Sequence, residues 1–284
     1  MKNLALFLRD IRIEHTLFAL PFAYVGAVMA AGGIPTPWQF LWITLAVLGA
    51  RTAAMAANRF LDREIDARNP RTANRPTASG RLSPRVMLAA IVAGLALLTV
   101  SAAMLNPLCL RLFPIAAFAV LFYPLCKRFT WVTHFFLGAV DGLAPLGAFI
   151  GVSGTFTFPA ILLFVAVTLW VAGFDIIYAL MDYPIDVEQG IRSIPARFGT
   201  STGRWLPIVL HLAMTVLLFL AGGLSHAGML YYAGVVFAVI LVFYEDRTFS
   251  VAKNLFALND RVFVTNMVFS VVFLVTTIAG FTLR

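Results

Sequence analysis

The segment NRFLDREID places an amide and two carboxylates where they can act on one ligand. Asn58, Asp62 and Asp66 follow one another at intervals of four residues, so in a helix their side chains lie on one face. Arg51 comes seven residues before Asn58, two turns earlier on the same stripe. Carboxylates stacked on one face repel each other unless a cation lies between them. The stripe therefore predicts a cation site near the end of a helix.

A second acidic segment, DIIYALMDYPID, repeats this arrangement farther along the chain. Asp175, Asp182 and Asp186 are spaced by seven and four residues, which again brings three carboxylates close to one helical face. Pro184 lies within the segment, and we expect it to kink or end the helix there. Asp175, the farthest from the helix end, is predicted either as a further metal ligand or as an anchor for a basic side chain, Lys127 or Arg128.

Oxygen ligands of this kind suit Mg²⁺, which is held by one or two carboxylates and bridges to substrate phosphates. The predicted metal ligands are Asn58, Asp62, Asp66, Asp175, Asp182 and Asp186. The predicted catalytic residues are Arg51, Asp62, Asp66, Asp182 and Asp186. Each cluster is followed by basic residues. Mg²⁺ together with several Lys and Arg side chains can hold a diphosphate leaving group. The predicted diphosphate contacts are Arg71, Lys127, Arg128 and Arg192, although membrane topology alone would explain any one of them.

Arg51 and Asp141 lie inside apolar stretches, where a charge is costly and suggests a function. Arg51 has two possible roles: it orients the Asp cluster, or it pairs with the carboxylate of an aromatic acid. Asp141 is predicted to pair with His134, seven residues before it, to contact the acceptor, or to line a wet cavity.

The composition shows what kind of element must carry these residues. Hydrophobic residues make up 61% of the 284 residues and charged residues only 12%, with a mean hydropathy of +0.91. This excludes a soluble globular domain and predicts an all-α, polytopic membrane protein. Nine stretches are long and apolar enough to span a bilayer: 17–33, 38–57, 85–104, 108–125, 131–151, 158–180, 205–223, 228–244 and 263–282.

The basic residues predict the orientation of these spans. Of the 21 Lys and Arg residues, all but Arg51, Arg111 and Arg284 fall on one side. By the positive-inside rule the N-terminus is cytoplasmic and the C-terminus lies outside. The net charge of +8 therefore reflects topology and contact with membrane lipid, and it does not indicate nucleic-acid binding.

The two acidic segments also suggest an internal repeat within one domain, residues 1–284. Asp62 and Asp182 are 120 residues apart, as are Asp66 and Asp186, and each pair ends an even-numbered span. Spans 1–4 and 5–8 are therefore candidates for duplicated halves. Two acidic clusters facing each other across the bundle would form one site.

These motifs resemble those of the UbiA family of intramembrane aromatic prenyltransferases. The family pattern is N-x-x-x-D-x-x-x-D on the second helix and a second Asp-rich motif after the sixth, here NRFLDREID and DIIYALMDYPID. The flanking segments RNPRTANRP (68–76), YPLCKRFT (123–130) and GIRSIPARFG (190–199) are also similar, as is the count of nine spans. The segments EHTLFALPFAY (14–24) and SIPARFG resemble the 4-hydroxybenzoate polyprenyltransferase-like branch. Asp141 departs from the family pattern, which is apolar or aromatic there.

The resemblance implies a helical bundle around a central cavity that opens near the cytoplasmic side, in a bacterial-type inner membrane. Two Mg²⁺ ions would hold the diphosphate of a polyprenyl diphosphate. Ionisation of this donor would leave an allylic carbocation that attacks an aromatic ring, and an apolar cavity would shield it from water. The implied acceptor is 4-hydroxybenzoate, as in ubiquinone biosynthesis. A dihydroxynaphthoate, as in menaquinone biosynthesis, is the alternative.

Two other functions fit the sequence less well. A transporter places ionisable groups near the midplane, along a path that reaches both faces, whereas the charges here lie almost entirely on one side. A phosphotransferase of the CDP-alcohol type needs an Asp-Gly-x-x-Ala-Arg start, and Asp141-Gly142 is instead followed by Leu-Ala-Pro.

Overall fold

The computed structural model describes residues 2–12, 16–251 and 255–283, so Glu14 and His15 of the EHTLFALPFAY segment lie outside the described residues. All regular structure within these ranges is helical, as the composition predicts. The ten helices are α1 (Lys2–Asp10), α2 (Thr16–Ala31), α3 (Pro37–Arg68), α4 (Pro84–Leu105), α5 (Pro107–Cys126), α6 (Thr133–Ser153), α7 (Phe158–Gln189), α8 (Ile194–Leu224), α9 (Met229–Val251) and α10 (Leu255–Thr282).

Helices α2 to α10 each coincide with one predicted span. Within the described residues, seven helices are long and apolar enough to cross a membrane, and Ala19–Ala31 and Met229–Glu245 are shorter apolar segments. Helix α1 is additional, and its 9 residues are too few to span a bilayer. Helix α8 begins well before the predicted start of its span at 205, and it bends at Gly199, where φ is 87°.

Helices α3 and α7 extend beyond the apolar stretches that predicted them. Each contains 32 residues and begins with a Thr N-cap, Thr36 and Thr157 respectively. We expected Pro184 to kink or end its helix. The helix does not end there, because α7 continues to Gln189. A proline removes one backbone hydrogen bond, but the close packing of α7 on α8, where Leu180 lies against Gly203, keeps the helix in place.

The helices pack around a central aromatic core. Helix α2 lies against α6 and α10, α7 against α6 and α8, and α3 against α4. The ring of Phe22 lies 4.7 Å from that of Trp170, which lies 5.4 Å from that of Phe269. Small residues let the backbones approach: a Cβ on Gly138 would lie only 2.2 Å from the carbonyl oxygen of Thr168.

A buried polar network joins the last four helices. His211 Nδ1 lies 3.1 Å from Glu245 Oε2, and Asn266 Nδ2 donates to Glu245 Oε1 at 3.0 Å. Trp170 Nε1 donates to Asn266 Oδ1 at 2.6 Å. Because polar groups in a membrane interior must find partners within the protein, this network fixes α7, α8, α9 and α10 relative to one another.

Candidate active site

A polar cavity of about 500 Å³ lies where α3 and α7 end. It is lined by most of the predicted site residues: Asn58, Asp66, Arg71, Lys127, Asp175, Asp182, Asp186 and Arg192. Asn69 links the two helices directly, because its Nδ2 donates to Asp182 Oδ1 at 3.2 Å. The two acidic clusters, distant in sequence, therefore face one cavity.

Asp62 is the most deeply buried of the clustered carboxylates, with 1% of its surface exposed. Lys127 Nζ lies 2.6 Å from Asp62 Oδ2, and Arg128 Nη2 lies 3.5 Å from Asp62 Oδ1. Asn58 Nδ2 donates to Asp62 Oδ2 at 2.9 Å. The α5–α6 connection thus supplies two cations to a carboxylate of α3.

Asp66, one turn later on α3, is paired with the loop between α3 and α4. Arg75 Nη1 lies 2.7 Å from Asp66 Oδ2. Thr72 Oγ1 donates to the Asp66 carbonyl oxygen at 2.8 Å. The RNPRTANRP segment therefore folds back over the end of α3 and supplies its own arginine to the site.

Asp182 binds a predicted diphosphate contact, Arg71. The guanidinium donates twice, from Nε to Asp182 Oδ1 at 2.8 Å and from Nη2 to Oδ2. Burial lowers the pKa of Arg71, but the hydrogen bond and the charge of Asp182 outweigh this effect, so the pKa of Arg71 is raised above its usual value. The forked ion pair ties the loop after α3 to α7.

The predicted alternative roles of Asp175 and Asp141 are corrected by one contact between α6 and α7. His134 Nδ1 lies 2.7 Å from Asp175 Oδ2, and the Ile194 backbone N–H donates to His134 Nε2 at 3.2 Å. Asp175 therefore does not anchor Lys127 or Arg128, and His134 does not pair with Asp141. The start of α6 packs beside the middle of α7, which brings His134 to Asp175 and leaves Asp141 two turns away.

Arg128 and Arg192 lie at the edge of the site. Arg128 is exposed and donates from Nη2 to the Leu61 carbonyl oxygen at 2.6 Å. Arg192 donates from Nη1 to the Phe129 carbonyl oxygen at 2.6 Å, and its backbone N–H donates to the Lys127 carbonyl oxygen at 2.8 Å. These bonds hold the α5–α6 and α7–α8 connections together at the cavity rim.

The donor set fits a divalent ion that shares its ligands with a phosphate group. Its oxygens are the hard ligands that Mg²⁺ prefers, and Asp62 Oδ1 is buried without a hydrogen-bond donor. In the described part of the chain, no three His, Cys, Asp or Glu side chains converge closely enough to hold an ion by themselves, because Lys and Arg side chains separate the carboxylates. Diphosphate oxygens would supply the remaining ligands.

Arg51 lies apart from the acidic clusters, on a second cavity of about 260 Å³. Its Nη1 lies 3.5 Å from Asp141 Oδ1. The rest of the lining is almost entirely apolar, and α3 contributes a row of small side chains at successive turns: Ala46, Ala50 and Ala54. Arg51 and Asp141 therefore form an ion pair on the wall of an apolar chamber.

The two cavities are neighbours along the same helices. Tyr123 of α5 lines the polar cavity and Val120, one turn earlier, lines the apolar cavity. Tyr123 Oη donates to the Ala54 carbonyl oxygen at 3.5 Å, and Ala54 lines the apolar cavity. The apolar chamber therefore lies directly next to the polar cavity.

Several contacts at the site were absent from the sequence-based prediction. Arg59 is buried among the acidic residues, Asp10 of α1 lies behind it, and Asn69 and His134 bridge helices. Asn69 lies in the RNPRTANRP segment and Arg59 in NRFLDREID. Both could therefore have been identified from the sequence, as polar residues inside motifs that already indicated the site. Nothing in the sequence around Asp10 marked it.

The comparisons with known proteins show the family to which the chain belongs. The model of the UbiA prenyltransferase family matches residues 19–255. A 4-hydroxybenzoate octaprenyltransferase of Nitrosococcus oceani is 34% identical over 232 residues, covering 81% of this chain and 81% of that protein. Another from Pseudoalteromonas translucida is 32% identical over 234 residues, covering 81% of this chain and 79% of that protein.

Solved structures show the same fold. The apo structure of a UbiA homolog from Aeropyrum pernix K1 has a TM-score of 0.85 and 32% identity, covering 94% of this chain and 98% of that one. A UbiA homolog from Archaeoglobus fulgidus bound to DMAPP and Mg²⁺ has a TM-score of 0.73 at 20% identity, covering 98% of this chain and 99% of that one. The protein is thus an integral membrane protein that belongs to the UbiA prenyltransferase family, in its 4-hydroxybenzoate polyprenyltransferase-like branch.

Proposed function

We propose that this polyprenyltransferase transfers a polyprenyl group from a polyprenyl diphosphate to a ring carbon of an aromatic acid. The observation that carries this proposal is the pair of acidic clusters around one polar cavity, with an apolar chamber beside it. In the reaction the C–O bond of the donor breaks, the diphosphate leaves with the electron pair, a C–C bond forms to the ring, and the ring loses a proton.

Two Mg²⁺ ions are proposed to bind between the clusters. The residues that would hold them are Asn58, Asp62, Asp66, Asp175, Asp182 and Asp186. The ions would neutralise the charge that develops on the leaving diphosphate. In this proposal the carboxylates at the ends of α3 and α7 fix the position of the diphosphate relative to the apolar chamber.

The diphosphate itself is proposed to contact Arg71, Lys127, Arg128 and Arg192. Three of the four line the polar cavity, and Lys127 and Arg71 hold Asp62 and Asp182. Lys127 and Arg71 would turn from carboxylate to phosphate when the donor binds. Because both of these side chains line the polar cavity, this exchange requires side-chain rotation only.

The aromatic acid is proposed to enter the apolar chamber, with its carboxylate on Arg51. Arg51 contacts Asp141 at 3.5 Å through one nitrogen, which leaves the rest of its fork available to a second carboxylate. This supports contact with the acceptor over orientation of the Asp cluster. The apolar lining would keep water from the allylic cation. 4-Hydroxybenzoate is the first acceptor to test because relatives carry that name, and a dihydroxynaphthoate is the alternative.

We also propose the membrane arrangement that the charges predict. Helices α2 to α10 would be nine spans of one domain, residues 1–284, with α2–α5 and α6–α9 as its repeated halves. The equal lengths of α3 and α7 support the repeat. The N-terminus and the polar cavity would face the cytoplasm of a bacterial-type cell, the C-terminus would lie outside, and bilayer lipid would surround the bundle.

The direct test supplies the purified protein in detergent with geranyl diphosphate and 4-hydroxybenzoate, with and without Mg²⁺, and identifies products by mass spectrometry. A Mg²⁺-dependent product prenylated on the ring carbon is expected. Turnover only with a dihydroxynaphthoate would retain the mechanism and change the acceptor. Failure with every aromatic acceptor, despite Mg²⁺-dependent binding of the diphosphate, would exclude the aromatic assignment.

A further inference from the structure

Arg59 is a buried arginine inside the first acidic motif, and it lies on the wall of the polar cavity beside the Asp residues. Only 4% of its surface is exposed. Its Nη1 donates to Asn58 Oδ1 at 2.9 Å and lies 3.9 Å from Asp66 Oδ2. Burying a guanidinium costs several kcal/mol unless partners satisfy it, so its position must be fixed by these contacts.

Asp10, the last residue of α1, holds the other edge of this guanidinium. Arg59 Nε donates to the Asp10 backbone carbonyl oxygen at 2.9 Å, and Asp10 Oδ1 lies 3.8 Å from Nε. Thr77, in the loop between α3 and α4, donates to Asp10 Oδ2 from its backbone N–H at 3.0 Å and from its hydroxyl. Asp10 is 2% exposed. Helix α1 and the loop are thus joined behind the acidic cluster.

The contacts of Arg59 determine which way the Asn58 amide points. The amide oxygen of Asn58 accepts from Arg59, so its NH₂ group is directed to Asp62 Oδ2. Without Arg59 the amide is free to rotate and Asp62 loses an oriented donor.

We propose that Arg59, held by Asp10, is a positioning residue that fixes Asn58 and the first acidic cluster for binding the metal–diphosphate group. This inference rests on the proposed function. It assigns a role in the site to α1, a helix outside the apolar bundle. Arg59 acts through the hydrogen bond that it donates to Asn58.

The test measures binding, so it does not depend on turnover. Isothermal titration in detergent gives the Mg²⁺ concentration at which the full-length protein binds a non-cleavable analogue, geranyl thiolodiphosphate. For Arg59→Met, the Mg²⁺ requirement is expected to rise about tenfold, as expected for a lost buried hydrogen bond to a charged group. The matched control is Arg63→Met, one turn later on α3, where the arginine pairs with Glu64 at the surface. It should behave as the wild type.

A double variant separates positioning from a general structural role. If Arg59 acts through Asn58, then Arg59→Met added to Asn58→Ala should raise the Mg²⁺ requirement no further than Asn58→Ala alone, because the two residues act as one unit. Fully additive effects would overturn the proposal. Arg59→Lys, which keeps the charge but lacks the forked guanidinium, replaces Arg59→Met in the same comparison if the latter does not fold.

The two levels of the hypothesis fail differently. If the wild type shows no Mg²⁺-dependent binding of the analogue, the proposed function is wrong, and this inference with it. If the wild type binds and Arg59→Met binds with the same Mg²⁺ requirement as Arg63→Met, the proposed function stands and the role of Arg59 is wrong.

Discussion

At the scale of single residues, most acids of the site already have basic partners. Asp62 holds Lys127, Asp66 holds Arg75 and Asp182 holds Arg71. Asp186 lines the same cavity and has no ion-pair partner among the described residues. The carboxylates and the cations proposed to receive the diphosphate therefore neutralise one another within the protein, which allows many charges to be buried close together.

Removing a proposed metal ligand should abolish turnover without unfolding the protein. Asp62→Ala and Asp182→Ala are each expected to lower kcat at least about a thousandfold, because several kcal/mol of charge stabilisation are lost. Product formation by mass spectrometry and thermal unfolding are measured in parallel. Glu64→Ala is the control, since Glu64 lies between the stripe residues of α3 with 74% of its side chain exposed. Near-normal activity in both Asp variants would contradict the two-cluster site.

Variants of the Arg51–Asp141 ion pair can distinguish an effect on stability from an effect on acceptor binding. Arg51→Leu leaves Asp141 without its partner and is expected to cost about 3–5 kcal/mol, whereas Arg51→Leu with Asp141→Leu should recover most of this loss. Both variants should raise the KM for the aromatic acid and leave the KM for the prenyl diphosphate unchanged. Thermal unfolding and steady-state kinetics provide the two readouts. An unchanged KM for the acid in the double variant would mean that Arg51 does not bind the acceptor.

The stripe of Asn58, Asp62 and Asp66 could be predicted because helical periodicity places residues of one helix on one face. The contacts between helices could not be predicted from the sequence. His134 meets Asp175 and Lys127 meets Asp62 only because particular helices are neighbours, and spacing along one helix carries no information about a neighbour. The predicted partner of His134 was wrong for this reason, because it was Asp141 on the same helix, whereas the observed partner, Asp175, lies on α7.

At the scale of helices, α3 and α7 carry the site because each extends past its apolar stretch. The apolar part packs in the bundle and the last turns carry the carboxylates to the cavity. Hydropathy predicted only the apolar stretches, because these last turns are polar, and the helical spacing of the acidic residues predicted that both helices continue beyond them. Their packing keeps them helical, even across Pro184.

Adding a single methyl group where α6 contacts α7 should destabilise the protein. In Gly138→Ala the added Cβ would meet the carbonyl oxygen of Thr168 at 2.2 Å, and since backbone must move to relieve it, a loss of about 1–3 kcal/mol is expected. Gly147→Ala, on the same helix, has no atom within 4 Å of the new Cβ and should gain about 0.5–1 kcal/mol from helix propensity. Thermal unfolding of both variants decides: equal Tm values would refute the packing argument.

At the scale of the whole molecule, two groups of helices, α7 to α10 and α3 to α6, differ in character. A buried polar network holds α7 to α10 together, whereas α3 to α6 surround the apolar chamber. The acidic clusters lie at the ends of α3, in one group, and of α7, in the other. A ligand that binds both clusters therefore connects the two groups.

This arrangement predicts that Mg²⁺ and the prenyl diphosphate bind interdependently. Mg²⁺ alone must displace Lys127 and Arg71 from their carboxylates, whereas the diphosphate offers these cations another partner. The affinity for Mg²⁺ should therefore rise about tenfold or more when geranyl thiolodiphosphate is present, and the affinity for the analogue should rise by the same factor with Mg²⁺. Calorimetry in both orders measures the two factors. Independent binding would contradict the partner exchange.

The row of Ala46, Ala50 and Ala54 along the apolar chamber has a consequence for how this scaffold can diversify. These methyl groups carry no charge and make no hydrogen bond through their side chains, yet they define how much room the chamber has. Replacing one of them with a larger side chain narrows the room for a ring or a tail while every carboxylate and every cation stays where it is. On the proposed function, substrate choice and bond-breaking are therefore separate heritable traits: a lineage can acquire a new acceptor one methyl group at a time, with its catalytic apparatus intact.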